Sequence, residues 1–229
     1  DERDLINAAV EAKENNGGKV IVMLNNANAM EIDEIKNNDG VDAIMEIGFP
    51  GGYGFYGVAD ILSGEANPSG HLTDTYAVTN ANSPAAQNFG NYEWTNADPS
   101  VNINAEEVEA EDIYTGYKYY ETRYADTVLG QGNADATVGS STGKAWNYDD
   151  EVSYPFGYGL SYTTFEQTLK SVDVDLANRT VTAEVDVKNT GDVAGKDVVQ
   201  LYTSVPYTDY DVENKVEKSA VQLLDYEKT

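Results

Sequence analysis

The first part of the chain alternates helix-like and strand-like hydrophobic patterns. Residues 4–16 carry apolar side chains at helical spacing and end at Gly17, which predicts a helix with a glycine stop. Residues 19–25 and 41–49 are short, continuous apolar runs, the pattern of strands buried on both faces. Residues 29–37 between them read as a second short helix. This alternation predicts a mostly parallel sheet with flanking helices.

The hydrophobic pattern weakens after the next glycine-rich segment. Residues 50–64, PGGYGFYGVADILSG, predict a glycine-rich turn followed by a helix of about two turns. From residue 81 to residue 153, Asn, Gly, Ser and Asp dominate, apart from the tyrosine-rich stretch 111–124. We therefore expect long loops around one short element.

Apolar and polar residues then alternate with a period of two. Residues 168–176, 180–189 and 196–205 follow this pattern and are separated by turn residues, which predicts antiparallel strands of a β-sandwich. The preceding stretch, Leu160 to Phe165, is expected to begin the first strand. About four strands are visible where such sandwiches usually carry about seven, so we expect a truncated second domain.

Composition narrows the classes of partner. The 229 residues contain 40 acidic and 14 basic side chains, a formal charge of -26, which disfavours nucleic acid and anionic membranes as partners. The chain has no cysteine, which excludes disulfides, thiolate nucleophiles and cysteine-ligated metals. No apolar run reaches the roughly 20 residues of a membrane helix. No cofactor is expected. The sequence indicates neither the localisation nor the oligomeric state of the protein. Both ends of the sequence suggest a piece of a longer protein.

One glycine pattern suggests a nucleotide site. Gly52, Gly54 and Gly57 spell G-x-G-x-x-G between a predicted strand and a predicted helix, and Asp74 follows about 20 residues later. The segment that follows, NPSGHLTDTYA, is too polar for the next buried strand of a dinucleotide-binding unit. A tight turn is therefore favoured over a nucleotide site.

Other candidate side chains carry weaker signals. His71 is the only histidine, so a two-histidine metal site is impossible and a polar residue after a turn is the favoured reading. Asn178 begins a glycosylation triplet that also suits a turn between strands. The 17 tyrosines, with Trp94 and Trp146, have rings suited to stacking on sugars, although cores use tyrosine in the same way.

Three separated stretches resemble one known family. They are ADILSGEANPSGHL (59–72), EDIYTGYKYYETRY leading to YPFGYGLSYTTF (111–165), and VKNTGDVAGKDVVQLYTSVP (187–206). In this order they resemble glycoside hydrolase family 3, the β-glucosidase family, and most closely its bacterial members. The resemblance implies a partial α/β sandwich over residues 1–160 and a truncated fibronectin type III-like β-sandwich over residues 161–229.

The resemblance also implies a mechanism and a missing domain. Family members are mostly retaining glycosidases that use two carboxyl groups about 5 Å apart. The nucleophilic aspartate lies on a catalytic barrel, and the acid/base glutamate lies just upstream of the stretch that matches Asp1 to Val10. No catalytic residue is therefore assigned within the chain, although Asp74, Glu109 and Glu111 are superficially attractive carboxylates. The piece alone is expected to be inactive, with the barrel and a carbohydrate substrate as its partners.

Two departures from the family pattern stand out. His71 occupies a position that is commonly Arg or Lys in the family, so an ion pair made by that cation is in doubt near neutral pH. Residues 128–152 form a long polar insertion whose role the sequence leaves open.

The stretch YPFGYGLSYTTF is expected to be a packed hinge into the second domain. Gly157 and Gly159 permit a sharp bend, and Phe156, Tyr158 and Tyr162 are expected to fill the contact between the domains. The alternative function is a stand-alone carbohydrate-binding or adhesive module, with a nucleotide-binding module as a third possibility.

Overall fold

A computed structural model describes residues 1–90, 100, 109–132 and 135–229. The helices in these residues are α1 Glu2–Asn16, α2 Asp33–Lys36, α3 Gly51–Ser63, α4 Pro84–Gln87, α5 Tyr117–Thr127, α6 Tyr148–Glu151 and α7 Asp209–Asn214. The strands are β1 Ile21–Leu24, β2 Ala43–Glu46, β3 Tyr76–Ala77, β4 Val152–Tyr154, β5 Phe165–Asp175, β6 Thr180–Asn189, β7 Val198–Thr203 and β8 Gln222–Lys228. The chain thus combines helices with small sheets, as the α/β prediction requires.

The chain divides into two compact units. The first contains residues 1–74, 155–203 and 223–229, and the second contains residues 75–154 and 204–222. These units are defined by contacts, and the predicted domain boundary at residue 160 stays a prediction.

The N-terminal part of the first unit confirms the predicted parallel pair. Strands β1 and β2 run parallel, with Ile21 opposite Ala43. Helix α1 begins with a capping box in which Asp1 accepts a hydrogen bond from the Asp4 backbone N–H, and it ends before Gly17. The prediction that β1 is buried on both faces is wrong for this structure, because Ile21 and Met23 are exposed.

The glycine-rich segment after β2 is helical. Helix α3 begins at Gly51 and runs for 13 residues, so the predicted turn with a helix of two turns is wrong. Glycine lowers helix propensity by about 1 kcal/mol without forbidding the conformation, so the glycines of residues 51–57 do not prevent a continuous helix. Gly64 ends it in the left-handed conformation.

The C-terminal strands of the first unit form two pairs, β5 with β6 and β7 with β8. The β5–β6 pair is antiparallel, as predicted, with an irregularity between Leu169 and Ser171. The expected strand start at Leu160 is wrong, since β5 begins at Phe165. Residues before it are engaged through side chains: the Thr163 hydroxyl donates to Asn189 Oδ1 at 2.7 Å.

The second unit has a small core. Strands β3 and β4 pair antiparallel and pack their apolar side chains with α5 and with the segment that precedes α6. The buried members are Ala77, Tyr120, Trp146 and Val152. Helix α5 confirms the short element predicted in the tyrosine-rich stretch.

Candidate functional site

The stretches that carry the family resemblance meet in the first unit. Asn67 Oδ1 accepts hydrogen bonds from Ser161 Oγ at 2.9 Å and from the Tyr162 backbone N–H at 2.8 Å. Asn67 Nδ2 donates to the carbonyl oxygen of Ala194 at 3.0 Å. We call these four residues the Asn67 junction. One side-chain amide therefore joins three segments that are about 95 and 127 residues apart in sequence.

Further hydrogen bonds extend the Asn67 junction. The Tyr162 hydroxyl donates to the carbonyl of Ile61 at 2.8 Å. The backbone N–H of Leu72 donates to the Tyr158 carbonyl, and that of Gly157 donates to the Leu72 carbonyl, both at 2.8 Å. Of the expected hinge tyrosines, Tyr162 contributes its hydroxyl and Tyr158 its backbone carbonyl, and both side chains remain partly exposed.

Glycine is required at both hinge positions because other residues lie too close for a side chain. Gly157 has φ 78°, and a Cβ there would lie 2.7 Å from Gln200 Nε2. A Cβ on Gly159 would collide with the carbonyl oxygen of Gly70 and would lie 3.0 Å from the His71 ring. The predicted sharp bend therefore exists, and its tightness comes from neighbours distant in sequence.

His71 lies beside a lysine from a distant strand. Its Nδ1 is 3.3 Å from the carbonyl oxygen of Ser69, and the same oxygen accepts a hydrogen bond from Lys228 Nζ at 2.7 Å. The histidine is half-buried. A cation is therefore present near the position where the family commonly has Arg or Lys, but it is supplied by β8.

The superficially attractive carboxylates fall in different compact units. Asp74 is exposed and belongs to the first unit. Glu109 is exposed and Glu111 is half-buried, and both belong to the second unit.

The glycines of the G-x-G-x-x-G pattern lie inside a helix. Gly52, Gly54 and Gly57 are all residues of α3, so they do not form the loop that cradles a pyrophosphate in a dinucleotide-binding unit. A Cβ on Gly54 would lie 2.7 Å from the Cβ of Pro50. This geometry contradicts the nucleotide reading.

Two aromatic candidates for sugar contact are buried in the second unit. Trp146 is 2% exposed and Tyr120 is 8% exposed, and both belong to the core cluster. Tyr148 meets Trp146 and Tyr124 edge to face, with ring centroids 6.1 Å and 5.7 Å apart. These rings serve packing, and a sugar could not reach the two buried ones. Trp94 lies outside the described residues.

A buried arginine and a buried glutamate hold the polar insertion. Arg123 donates from Nη1 to the Asp135 carbonyl at 3.0 Å and from Nη2 to the Val138 carbonyl at 2.7 Å. Its guanidinium carbon lies 5.7 Å from the Trp146 ring centroid. Glu151 accepts hydrogen bonds from the backbone N–H and the hydroxyl of Ser141. Residues 135–146 are therefore an ordered loop fixed from two sides.

Burial changes the ionisation of the surrounding groups. Burial, followed by the hydrogen bond that the Tyr148 hydroxyl donates to Glu121 at 2.6 Å, raises the pKa of Tyr148 far above its usual range. Burial also raises the pKa of Tyr119 and that of the Asp126 carboxyl, the latter against the opposing effect of Arg123. Both tyrosines thus stay neutral near pH 7, and Tyr148 acts as a hydrogen-bond donor.

The described residues contain neither a cluster of metal-ligating side chains nor a helix suited to cross a membrane. No group of three or more His, Cys, Asp or Glu side chains is arranged to hold a metal ion among residues 1–90, 100, 109–132 and 135–229. In the same part of the chain, no helix has the length and apolar character needed to cross a bilayer. Asn178, the glycosylation candidate, lies in the turn between β5 and β6, where its side chain donates to Asp175 Oδ2 at 2.6 Å.

Comparison with known proteins decides the family. The sequence-family model of the glycosyl hydrolase family 3 C-terminal domain matches residues 2–162. The chain belongs to glycosyl hydrolase family 3. The matched residues include the first stretch and nearly all of the second, and the inferred resemblance to the family is confirmed.

The curated relatives are β-glucosidases. The chain is 33% identical to β-glucosidase A of Butyrivibrio fibrisolvens, over 93% of this chain and 23% of that protein. It is 32% identical to thermostable β-glucosidase B of Acetivibrio thermocellus, over 98% of this chain and 23% of that protein. The chain thus spans about a quarter of the length of these relatives, as a C-terminal-domain fragment of such an enzyme would.

Solved structures agree in fold. A β-glucosidase from Paenibacillus barengoltzii matches with a TM-score of 0.68 and 32% identity, over 92% of this chain and 19% of that one. β-Glucosidase 3B from Thermotoga neapolitana matches with a TM-score of 0.65 and 31% identity, over 100% of this chain and 26% of that one. These family 3 neighbours confirm the α/β fold class.

Proposed function

We propose that residues 1–229 are the non-catalytic part of a retaining β-glucosidase that removes terminal β-linked glucose from glucosides or short oligosaccharides. The observation that carries this proposal is the nearly full-length match of the chain to one quarter of several β-glucosidases. A structure of the Thermotoga neapolitana relative with glucose supports the choice of sugar.

The location of the catalytic groups outside this chain follows from the usual mechanism of the family. A retaining glycosidase needs a nucleophilic carboxylate and a second carboxyl group about 5 Å away that protonates the leaving oxygen. We place the nucleophile on the catalytic barrel and the acid/base glutamate upstream of Asp1.

The domain roles within the chain form part of the same proposal. Residues 1–160 act as part of the α/β sandwich, and residues 161–229 as part of a fibronectin type III-like sandwich. The antiparallel β5–β6 pair, whose apolar residues Leu169, Val172 and Val174 are exposed, supports an incomplete sandwich. The Asn67 junction then holds the start of the second domain against the first.

Turnover of an aryl β-glucoside tests the proposal. We expect the purified 229-residue chain to release no aglycone above a buffer blank, while the full-length protein translated from the native reading frame releases it with retention of configuration. Turnover by the isolated chain that persists through purification would contradict the proposal. An inactive but folded full-length protein would contradict the assigned reaction.

A further inference from the structure

Two buried N–H groups of the second unit lack a hydrogen-bond acceptor. They belong to Nε of Arg123 and to Nε1 of Trp146, and neither has a partner among the residues that the structure describes. The two side chains are 7% and 2% exposed, so more than nine-tenths of each is shielded from solvent. Buried polar groups nearly always have a partner, and a buried indole N–H usually finds one. The two donors therefore point to a bound acceptor other than these residues.

Both donors border the same part of the core of the second unit. The guanidinium carbon of Arg123 lies 5.7 Å from the centroid of the Trp146 ring. Nε is bonded directly to that carbon, and Nε1 is an atom of the indole. The other two guanidinium nitrogens are engaged, since Nη1 and Nη2 donate to the carbonyls of Asp135 and Val138. The separation of the two groups is compatible with one small acceptor that contacts both donors, because each N–H···O bond spans about 3 Å.

The charges near these donors favour a neutral acceptor. Arg123 influences the pKa of the Asp126 carboxyl and that of Tyr119, and the buried Glu151 influences the pKa of Tyr119 as well. The guanidinium therefore already has carboxyl groups in its surroundings, and a bound anion would add a further negative charge beside them. Water is neutral, and a buried water typically makes about three hydrogen bonds to otherwise unsatisfied polar groups.

We infer that Arg123 and Trp146 form a binding site for one buried water molecule, which accepts a hydrogen bond from Nε of the arginine and another from Nε1 of the tryptophan. We call this pair the Arg123–Trp146 site. The water joins helix α5 to the segment that precedes α6, in addition to the two bonds that Arg123 makes to backbone carbonyls. This inference does not depend on the reaction of the full-length protein.

Crystal structures of the full-length protein that resolve ordered water test the inference. One crystal is soaked in sodium chloride and another in sodium bromide, because the anomalous scattering of bromide identifies a bound halide. We expect the same solvent peak in both structures, within about 3.2 Å of each of the two nitrogens and without an anomalous signal. An anomalous bromide peak at the Arg123–Trp146 site would overturn the inference in favour of an anion.

Three other results in these structures would also contradict a shared water. An acceptor from a part of the full-length protein outside residues 1–229 that contacts both nitrogens would take the place of the water and overturn the inference. A solvent peak that contacts only one of the two donors would overturn it as well. The same holds for the absence of any peak beside them in a structure that resolves other buried water.

The variant Trp146→Phe tests the contribution of the indole. Phenylalanine keeps an aromatic ring in the core but has no N–H, so the occupancy of the water should fall at least about twofold, because one of its donors is lost. Tyr124→Phe is the control, since it removes a hydroxyl from a ring of α5 that is 36% exposed and lies outside the site; the water peak should stay unchanged. An equally strong peak in Trp146→Phe, with Arg123 in its original place, would overturn the inference. If this variant does not fold, the chloride and bromide structures of the wild type decide.

Discussion

At the scale of single residues, one amide links the family motifs. Asn67 uses both of its polar atoms, with Oδ1 accepting from Ser161 and Tyr162 and Nδ2 donating to Ala194. Only Asn and Gln combine a carbonyl acceptor and an NH2 donor in one neutral side chain, and Asn has the shorter reach. The asparagine in NPSG is thereby explained by the serine and tyrosine in GLSY.

Replacing Asn67 by Ala should destabilise the chain. The substitution removes the hydrogen bonds to Ser161, Tyr162 and Ala194, and a typical intramolecular hydrogen bond contributes about 0.5–1.5 kcal/mol to the free energy of unfolding. Chemical denaturation monitored by circular dichroism measures the change. Asn16→Ala serves as the control, because Asn16 is exposed at the end of α1 and bonds only within its helix; its effect should stay within about 0.5 kcal/mol. Equal effects of the two variants would contradict the role of the Asn67 junction.

A second residue-scale prediction concerns acid stability. Lys218 Nζ lies 2.6 Å from Asp211 Oδ2, which also accepts hydrogen bonds from the backbone and hydroxyl of Thr208. These contacts, the lysine first, lower the pKa of Asp211 to about 2, from 3.8. A lowered pKa stabilises the folded state above the unfolded value, and this contribution is lost as the pH falls from about 4 to about 2.

The variant Asp211→Asn should expose this dependence. Its melting temperature should lie below that of the wild type at pH 7, and the gap should narrow between pH 4 and pH 2 because the wild type loses its ionised carboxylate there. Lys218→Met should also weaken the pH dependence, since it removes the largest cause of the lowered pKa. A gap that stays constant from pH 7 to pH 2 would refute the assignment.

At the scale of elements, local sequence patterns predicted those helices and strands that local interactions determine. The helical spacing and glycine stop of residues 4–16 gave α1, and the period-two alternation gave β5, β6 and β7. The glycines of α3 misled the prediction, because glycine is common in turns but its helix penalty of about 1 kcal/mol does not by itself end a helix. The start of β5 at Phe165 was missed because Ser161 and Tyr162 bond to Asn67, about 95 residues away.

The role of the polar insertion could not be predicted from the local sequence pattern either. Nothing in its composition distinguishes Trp146 as a core residue from an exposed aromatic ring. The guanidinium of Arg123 in the tyrosine-rich helix α5 holds the loop through two carbonyl groups. Because α5 also contains Lys118, Glu121 and Asp126, its charge pattern does not single out Arg123.

Removing this arginine should loosen the loop. In Arg123→Met the carbonyls of Asp135 and Val138 lose their donors, so residues 135–146 should open more often and trypsin should cut faster after the exposed Lys144. Limited proteolysis with mass spectrometry gives the cleavage rate, which should rise several-fold. Arg3→Met, which removes only an exposed ion pair to Glu34, should leave that rate unchanged. A similar rate in both variants would show that the loop is held by other contacts.

At the scale of the whole molecule, the chain is organised for support. Hydrogen bonds join distant segments within each of its units, and its buried aromatic rings pack with one another. The usual retaining mechanism needs two carboxyl groups about 5 Å apart. The proposed function places both of these groups outside residues 1–229.

Covalent trapping of the nucleophile tests whether the reacting carboxylate lies outside residues 1–229. A 2-deoxy-2-fluoro-β-glucoside with a good leaving group should accumulate as a glycosyl-enzyme on the full-length protein, because the fluorine slows hydrolysis of the intermediate. Peptide mass spectrometry then locates the modified carboxylate. The account predicts a single labelled aspartate outside residues 1–229 and no label on the isolated chain. A label on Asp74, Glu109, Glu111 or any other carboxylate within residues 1–229 would contradict it.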